Sequence, residues 1–196
     1  MTPPLVLASS SRYRAAQLQT LGLAFRCEAP DIDESLLPGE DATALALRLA
    51  AAKAQAVANR CEPGALVIGC DQTVAFGEMI LGKPGHYDAA LRQLQQLRGQ
   101  TVIFHSALAL LDTRSGLLQQ QVIDTSVRYR PLTDAQIAAY LERDRPFDCA
   151  GSFKSESLGI AILDAVQSDD PTALVGLPLI ALTQMLARAG LDALAP

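Results

Sequence analysis

The chain of 196 residues has no tryptophan, two histidines and an aromatic content of 5%. With only His86 and His105 available, a histidine-based catalytic dyad has few candidates. Cys27, Cys61, Cys70 and Cys149 are scattered without a C-x-x-C pair, which argues against a zinc cluster or a disulfide framework and leaves free, mostly buried thiols as the plain reading. No run approaches the roughly 20 apolar residues of a membrane helix. The most apolar stretch, Ala173 to Leu182, is interrupted by Gly176 and Pro178. A charged leader is also missing, since Met1-Thr2-Pro3-Pro4 runs directly into Leu5-Val6-Leu7-Ala8, so a soluble cytoplasmic protein is expected. Sixteen basic residues face twenty-one acidic ones, a net charge of -5. That balance argues against a non-specific nucleic-acid binder, yet permits a nucleotide enzyme, whose phosphate site needs only a few local cations.

What is present is a 49% hydrophobic composition, enough for one sizeable core, and a single domain over 1–196 is expected. Strand-like runs alternate with amphipathic segments, which predicts an α/β fold with a mixed, twisted central sheet flanked by helices. Leu5–Ala8 reads as a strand and is followed by a helix from about Arg12 to Leu21. A second helix is expected over Ala42–Arg60, with Leu45, Leu49, Ala52 and Ala56 on one stripe. Leu66–Cys70 is continuous enough to be a strand buried on both faces. Thr73–Phe76 and Met79–Leu81 flank Gly77-Glu78 as a hairpin. Further expectations are a helix over Asp88–Leu97, long strands over Thr101–Leu111 and Gln119–Tyr129, and a capping box at Thr133–Gln136. Another strand is expected at Leu158–Leu163 and a last helix at Leu179–Ala189.

Polar clusters interrupt these elements. Ser9-Ser10-Ser11-Arg12-Tyr13-Arg14 lies between a strand and a helix, where hydroxyls, backbone N–H groups and guanidinium groups can hold an anion or simply cap the helix. Asp31, Asp33 and Glu34 crowd three carboxylates that need water or a cation. Lys53 lies beside the apolar stripe of its helix, where a lysine can snorkel. Asp71 directly follows Leu66–Cys70, a strand end where a carboxylate can bind a metal, accept a proton from water, or begin a turn. Lys83, between Gly82 and Pro84, can aim at a phosphate or sit on a surface turn. Phe153-Lys154-Ser155-Glu156 and Ser168-Asp169-Asp170-Pro171 border the strand expected at Leu158–Leu163 and read equally well as loops.

The ordered set resembles the Maf family of nucleotide pyrophosphatases from Leu7-Ala8-Ser9-Ser10-Ser11 to Val175-Gly176-Leu177-Pro178-Leu179. It includes Asp33-Glu34, Lys53-Ala54, Gly69-Cys70-Asp71 and Gly82-Lys83-Pro84. Asp71-Gln72, Cys149 to Glu156, and Asp170 to Gly176 are similar to the branch associated with 7-methyl-GTP. Arg12-Tyr13-Arg14 replaces the family's more usual Pro-Arg-Arg or Pro-Trp-Arg. The resemblance implies a fold like that of inosine triphosphate pyrophosphatases, two lobes with a central cleft. It implies Asp71 as proton acceptor, Ser9, Arg14, Lys53 and Lys83 on the phosphates, and Glu34 with Asp71 on a divalent metal, Mg or Mn. A cytoplasmic enzyme is implied, often a homodimer, clearing modified nucleotides and linked to arrest of cell division, with a small-molecule nucleotide as substrate and no nucleic-acid or membrane partner.

Methylation at N7 makes the guanine cationic, so an aromatic face attracts it by roughly 0.5–2 kcal/mol. Tyr13 is the expected aromatic, Glu156 the acceptor for the guanine N1–H and exocyclic amine, and Gln72 a reader of another polar edge. The expected reaction is hydrolysis of 7-methyl-GTP to 7-methyl-GMP and diphosphate. The alternatives are a dTTP/UTP pyrophosphatase of the same family and a non-catalytic nucleotide-binding regulator of cell division.

Overall fold

The computed structural model describes residues 2–194. In chain order its elements are β1 (Leu5–Leu7), α1 (Arg12–Gln19), β2 (Phe25–Cys27), α2 (Ala42–Ala58), β3 (Leu66–Phe76), β4 (Met79–Leu81), α3 (Tyr87–Leu97), β5 (Thr101–Asp112), β6 (Leu118–Tyr129), α4 (Asp134–Asp144), β7 (Leu163–Ser168) and α5 (Leu179–Arg188). The strands follow the order β2-β1-β3-β5-β6-β7, with β4 paired to β3. β1 runs parallel to β2 and β3, whereas β3–β4 and β6–β7 are antiparallel, so the sheet is mixed. Among the described residues, no helix is long and apolar enough to cross a membrane.

The chain divides into two compact units, the first comprising the chain through Gln72, Ser106–Ile123 and the chain from Asp170 onward. Its strands are covered on both faces, as the unbroken apolar run Leu66–Cys70 requires. On one face Leu5, Leu7, Leu66, Ile68, Leu108 and Leu110 pack with Leu18 of α1 and with Leu182, Met185 and Leu186 of α5. On the other, Val6, Val67, Ala107 and Ala109 meet the Ala46, Ala50, Ala54 and Val57 stripe of α2. That helix lies against β3 at Gly69, where a Cβ would stand 2.0 Å from Ala50 O and 2.7 Å from Ala54 N. The absent side chain is therefore what permits the approach.

The second unit comprises Thr73–His105 and Asp124–Asp169. Phe153 packs edge-on to Phe104 and Tyr129, at centroid separations of 6.0 and 6.3 Å. Thr133 and Gln136 form the expected capping box of α4. The hairpin β3–β4 turns at Gly77, whose φ is +59°.

Three expectations change. Leu66–Cys70 and Thr73–Phe76 are one continuous strand, so Asp71 is not beyond a strand end. It lies between the part of β3 that pairs with β1 (Leu66–Ile68) and the part that pairs with β4 (Val74–Phe76). Leu158–Ile162 is a 3-10 turn, not a strand, and β7 begins at Leu163. The cause is Gly159, which presses against Phe153 so closely that a Cβ would meet its ring at 2.6 Å and Lys154 O at 2.2 Å, folding this apolar run over the aromatic cluster. The short strand β2, exposed at Arg26 and Cys27, gave no apolar run to predict it.

Candidate active site

The close approach of α2 to β3 at Gly69 delivers Lys53 to Asp71. Lys53 Nζ donates to Asp71 Oδ1 at 2.6 Å and pairs with Glu34 Oε1 at 2.7 Å. The Lys53 and Asp71 side chains are 7% and 10% exposed, whereas that of Glu34, on the irregular segment before α2, is 53% exposed. One cation thus gathers two carboxylates, giving the trio a net charge of -1. Lys53 does not snorkel to solvent; it is buried because its ammonium has two anionic partners. Asp33 turns instead to Ser35, accepting from its N–H and hydroxyl, and is held below its ordinary range by those bonds.

The start of α1 is built by the serines. Ser11 is the N-cap of α1, its side chain accepting from Arg14 N, and the buried Ser9 Oγ accepts from Ser11 N at 3.1 Å. Tyr13 is half-buried and outside the core, with the Arg12 guanidinium 4.8 Å from its ring centroid. Arg14 reaches two carbonyls, Cys70 O through Nη1 at 3.1 Å and Gly176 O through Nε at 3.0 Å. It therefore ties the stretch beside Asp71 to the 172–178 turn. Burial pushes the Cys70 thiol up, opposed by the nearby Arg14 and Lys53 charges.

Sequence reasoning marked Asp170 within a polar cluster but did not read it as what holds that turn. Asp170, 1% exposed, accepts from Thr172 N and its hydroxyl through Oδ1 and from Ile180 N and Ala181 N through Oδ2. It replaces the missing cap of α5, whose N-cap is Pro178. The Asp170-x-Thr172 spacing, an Asx-type turn, was the available signal. Gln17 Nε2 donates to Thr172 O at 2.8 Å, and Gln72 Nε2 lies on Ser106 Oγ, Ala173 O and Leu174 O. The Gln17 and Ser106 interactions link residues far apart in sequence and left no local signal.

Lys83 and Glu156 belong to the second unit and are exposed there. The Lys83 loop is held at both ends: Gln93 Nε2 donates to Gly82 O at 3.2 Å and Gly85 N to Phe147 O at 2.9 Å. Gln93 also accepts from Ser152 Oγ at 2.5 Å, joining this loop to the Gly151-Ser152 turn, where Ser152 has φ +54°. Lys154 donates to Asp144 O and Arg145 O at the end of α4, a cation at a helix C-terminus. Cys149 is pushed up to about 12, first by burial and then by the adjacent Asp148 charge.

Ser9, Tyr13, Arg14, Glu34, Lys53, Asp71 and Gln72 all belong to the first unit, where Lys53 joins Glu34 to Asp71 and Arg14 holds the neighbouring Cys70 carbonyl. Buried and anchored charges gathered in this way mark a candidate functional site on a parallel α/β core. The chain belongs to the Maf family: the family model described as Maf-like protein matches residues 4–189, spanning both units. A protein of Burkholderia pseudomallei named 7-methyl-GTP pyrophosphatase is 59% identical over 96% of this chain and 88% of its own length. One of the same name from Thiobacillus denitrificans is 53% identical, over 98% of this chain and 96% of its own. Among solved structures, the Ham1 protein of Staphylococcus aureus matches with a TM-score of 0.46 at 15% identity, covering 65% of this chain and 72% of that one.

Proposed function

We propose that this chain is a nucleoside triphosphate pyrophosphatase that hydrolyses 7-methyl-GTP to 7-methyl-GMP and diphosphate in the cytoplasm. The observation that carries the reading is the buried Lys53 clasped between Asp71 and Glu34, in a chain so similar to proteins of that name. Asp71 Oδ1 is engaged by Lys53, which orients the carboxylate and leaves Oδ2 to take a proton from water. The oxygen of that water bonds to the α-phosphorus as the α–β bridging bond breaks, and diphosphate leaves with the bridging electrons. Lys53 and Lys83 balance charge growing on the phosphate oxygens, as does Arg14 through the N–H groups it does not give to carbonyls. Ser9 shapes the turn that presents the backbone at the start of α1.

The two carboxylates that converge on Lys53, Glu34 and Asp71, are hard oxygen donors and would hold a divalent ion, Mg or Mn. Bound there, such an ion would supply charge neutralisation at the phosphates. The cation already resting on the Tyr13 ring supports stacking of a cationic base on that face, and the exposed Glu156 supports its role as acceptor for the base's donor edge.

The test is diphosphate release from 7-methyl-GTP, GTP, dTTP and UTP, with and without Mg or Mn. Wild type should favour 7-methyl-GTP, and Asp71→Asn should reduce turnover by about 10²–10⁴-fold. Full activity of Asp71→Asn, or a preference for dTTP and UTP, would overturn the proposal.

A further inference from the structure

Gln72 follows Asp71 on β3, and its side-chain nitrogen is surrounded by oxygens: Ser106 Oγ at 2.9 Å, Ala173 O at 3.1 Å and Leu174 O at 3.2 Å. Ser106, on β5 and 0% exposed, donates its own proton to Ala173 O at 2.8 Å. With that proton committed, the hydroxyl offers Gln72 only a lone pair. Three acceptors around one position require a donor there. The opposite orientation of the amide would press Oε1 against two carbonyls and a hydroxyl oxygen. Nor can the carbonyls turn away, because Gln17, Arg14 and Asp170 hold the same 172–178 turn. Both N–H bonds of the Gln72 amide are thereby used. No hydrogen bond among the described residues engages its Oε1, and Gln72 is partly exposed.

We propose that this network fixes Gln72 as a hydrogen-bond acceptor toward the substrate, with Ser106 as the positioning residue that sets its polarity. The inference rests on the pyrophosphatase reading and deepens it by giving a chemical rule for base choice. The site favours a base that presents a donor to position 72, as the N1–H and exocyclic amine of a guanine do. It disfavours uracil and thymine, whose single edge N–H is flanked by two carbonyls, since a carbonyl facing Oε1 sets acceptor against acceptor.

The experiment compares kcat/KM for 7-methyl-GTP and UTP in wild type, Ser106→Ala and Gln72→Met. Loss of one hydrogen bond in Ser106→Ala should lower the 7-methyl-GTP to UTP ratio by about 3- to 10-fold. Removing the whole amide in Gln72→Met should lower it by about 10- to 100-fold. A merely weakened fold lowers both substrates alike and leaves the ratio in place. An independent readout is exchange of the Gln72 side-chain amide protons by NMR, expected to be slow in wild type and faster in Ser106→Ala. If Ser106→Ala does not fold, Gln72→Met and the wild-type exchange rate decide. An unchanged ratio in Gln72→Met, or wild-type exchange as fast as that of an exposed glutamine, overturns this inference alone. Wild-type failure to act on either nucleotide overturns the reading of the site and this inference with it.

Discussion

Replacing Lys53 with methionine keeps most of the apolar stem along α2 and removes the ammonium, with its charge and its hydrogen-bond donors. Asp71 then loses the ammonium that binds it, with its side chain 10% exposed. A charge left uncompensated in a buried position costs about 3–5 kcal/mol, and the residual solvent contact of Asp71 places the expectation near the lower end, about 3 kcal/mol. For a chain of this size that corresponds to a drop in Tm of about 6–12 °C. The reverse perturbation is milder, because in Asp71→Asn the ammonium keeps Glu34 at 2.7 Å and can still donate to the amide oxygen. Its expected cost is about 0–1 kcal/mol. The double variant Lys53→Met/Asp71→Asn should recover most of the loss, a coupling of about 2–3 kcal/mol. Thermal unfolding followed by circular dichroism on the four proteins measures all of this. A Lys53→Met protein melting within about 2 °C of wild type, or Asp71→Asn melting below Lys53→Met, would refute the account of why this lysine is buried.

Gly69→Ala drives a Cβ into Ala50 O at 2.0 Å, so α2 must lift from β3; we expect a loss of about 1–3 kcal/mol together with a fall in kcat, read by melting and by diphosphate release. Asp170→Ala strips the N–H groups of Ile180 and Ala181 of their acceptor and should destabilise by about 2–4 kcal/mol, measured by denaturant unfolding. Glu28 is held below its ordinary 4.5 by hydrogen bonds from Arg60 and Arg26, and Glu40 below the same value by Arg48. Their folded forms bind fewer protons than the unfolded chain, so their stabilisation is present above 4.5 and lost as pH falls through the lowered values. Tm should therefore decline below 4.5, and Glu40→Gln should soften that decline in an acid melting series.

What could be read from the sequence was what depends on near neighbours in the chain. Leu66–Cys70 declared a strand covered on both faces, Ala42–Arg60 a helix, though the stripe that packs on the sheet is Ala46, Ala50, Ala54 and Val57 and not the expected Leu45, Leu49, Ala52 and Ala56, and Thr133 with Gln136 a cap. Asp71 and Lys53 stood out as polar residues set into apolar runs, whereas Glu34 was one carboxylate of an acidic loop and its pairing with Lys53 left no local signal. Leu158–Ile162 was misread because a short apolar run does not reveal whether it pairs with a strand or folds over an aromatic cluster through a glycine.

Tertiary structure alone decided which of these residues meet, and with which atoms. That Lys53 pairs with Asp71 depends on the depth to which α2 sinks at Gly69, a distance fixed by packing and not by spacing. That Arg14 binds carbonyls of Cys70 and Gly176, and that Gln72 turns its nitrogen to Ser106 and the 173–174 carbonyls, depends on partners from about 30 to 160 residues away, as the hydrogen bonds show. Hydrogen bonding and close packing act over a few ångströms of space, and a linear sequence records neighbours along the chain, not across it.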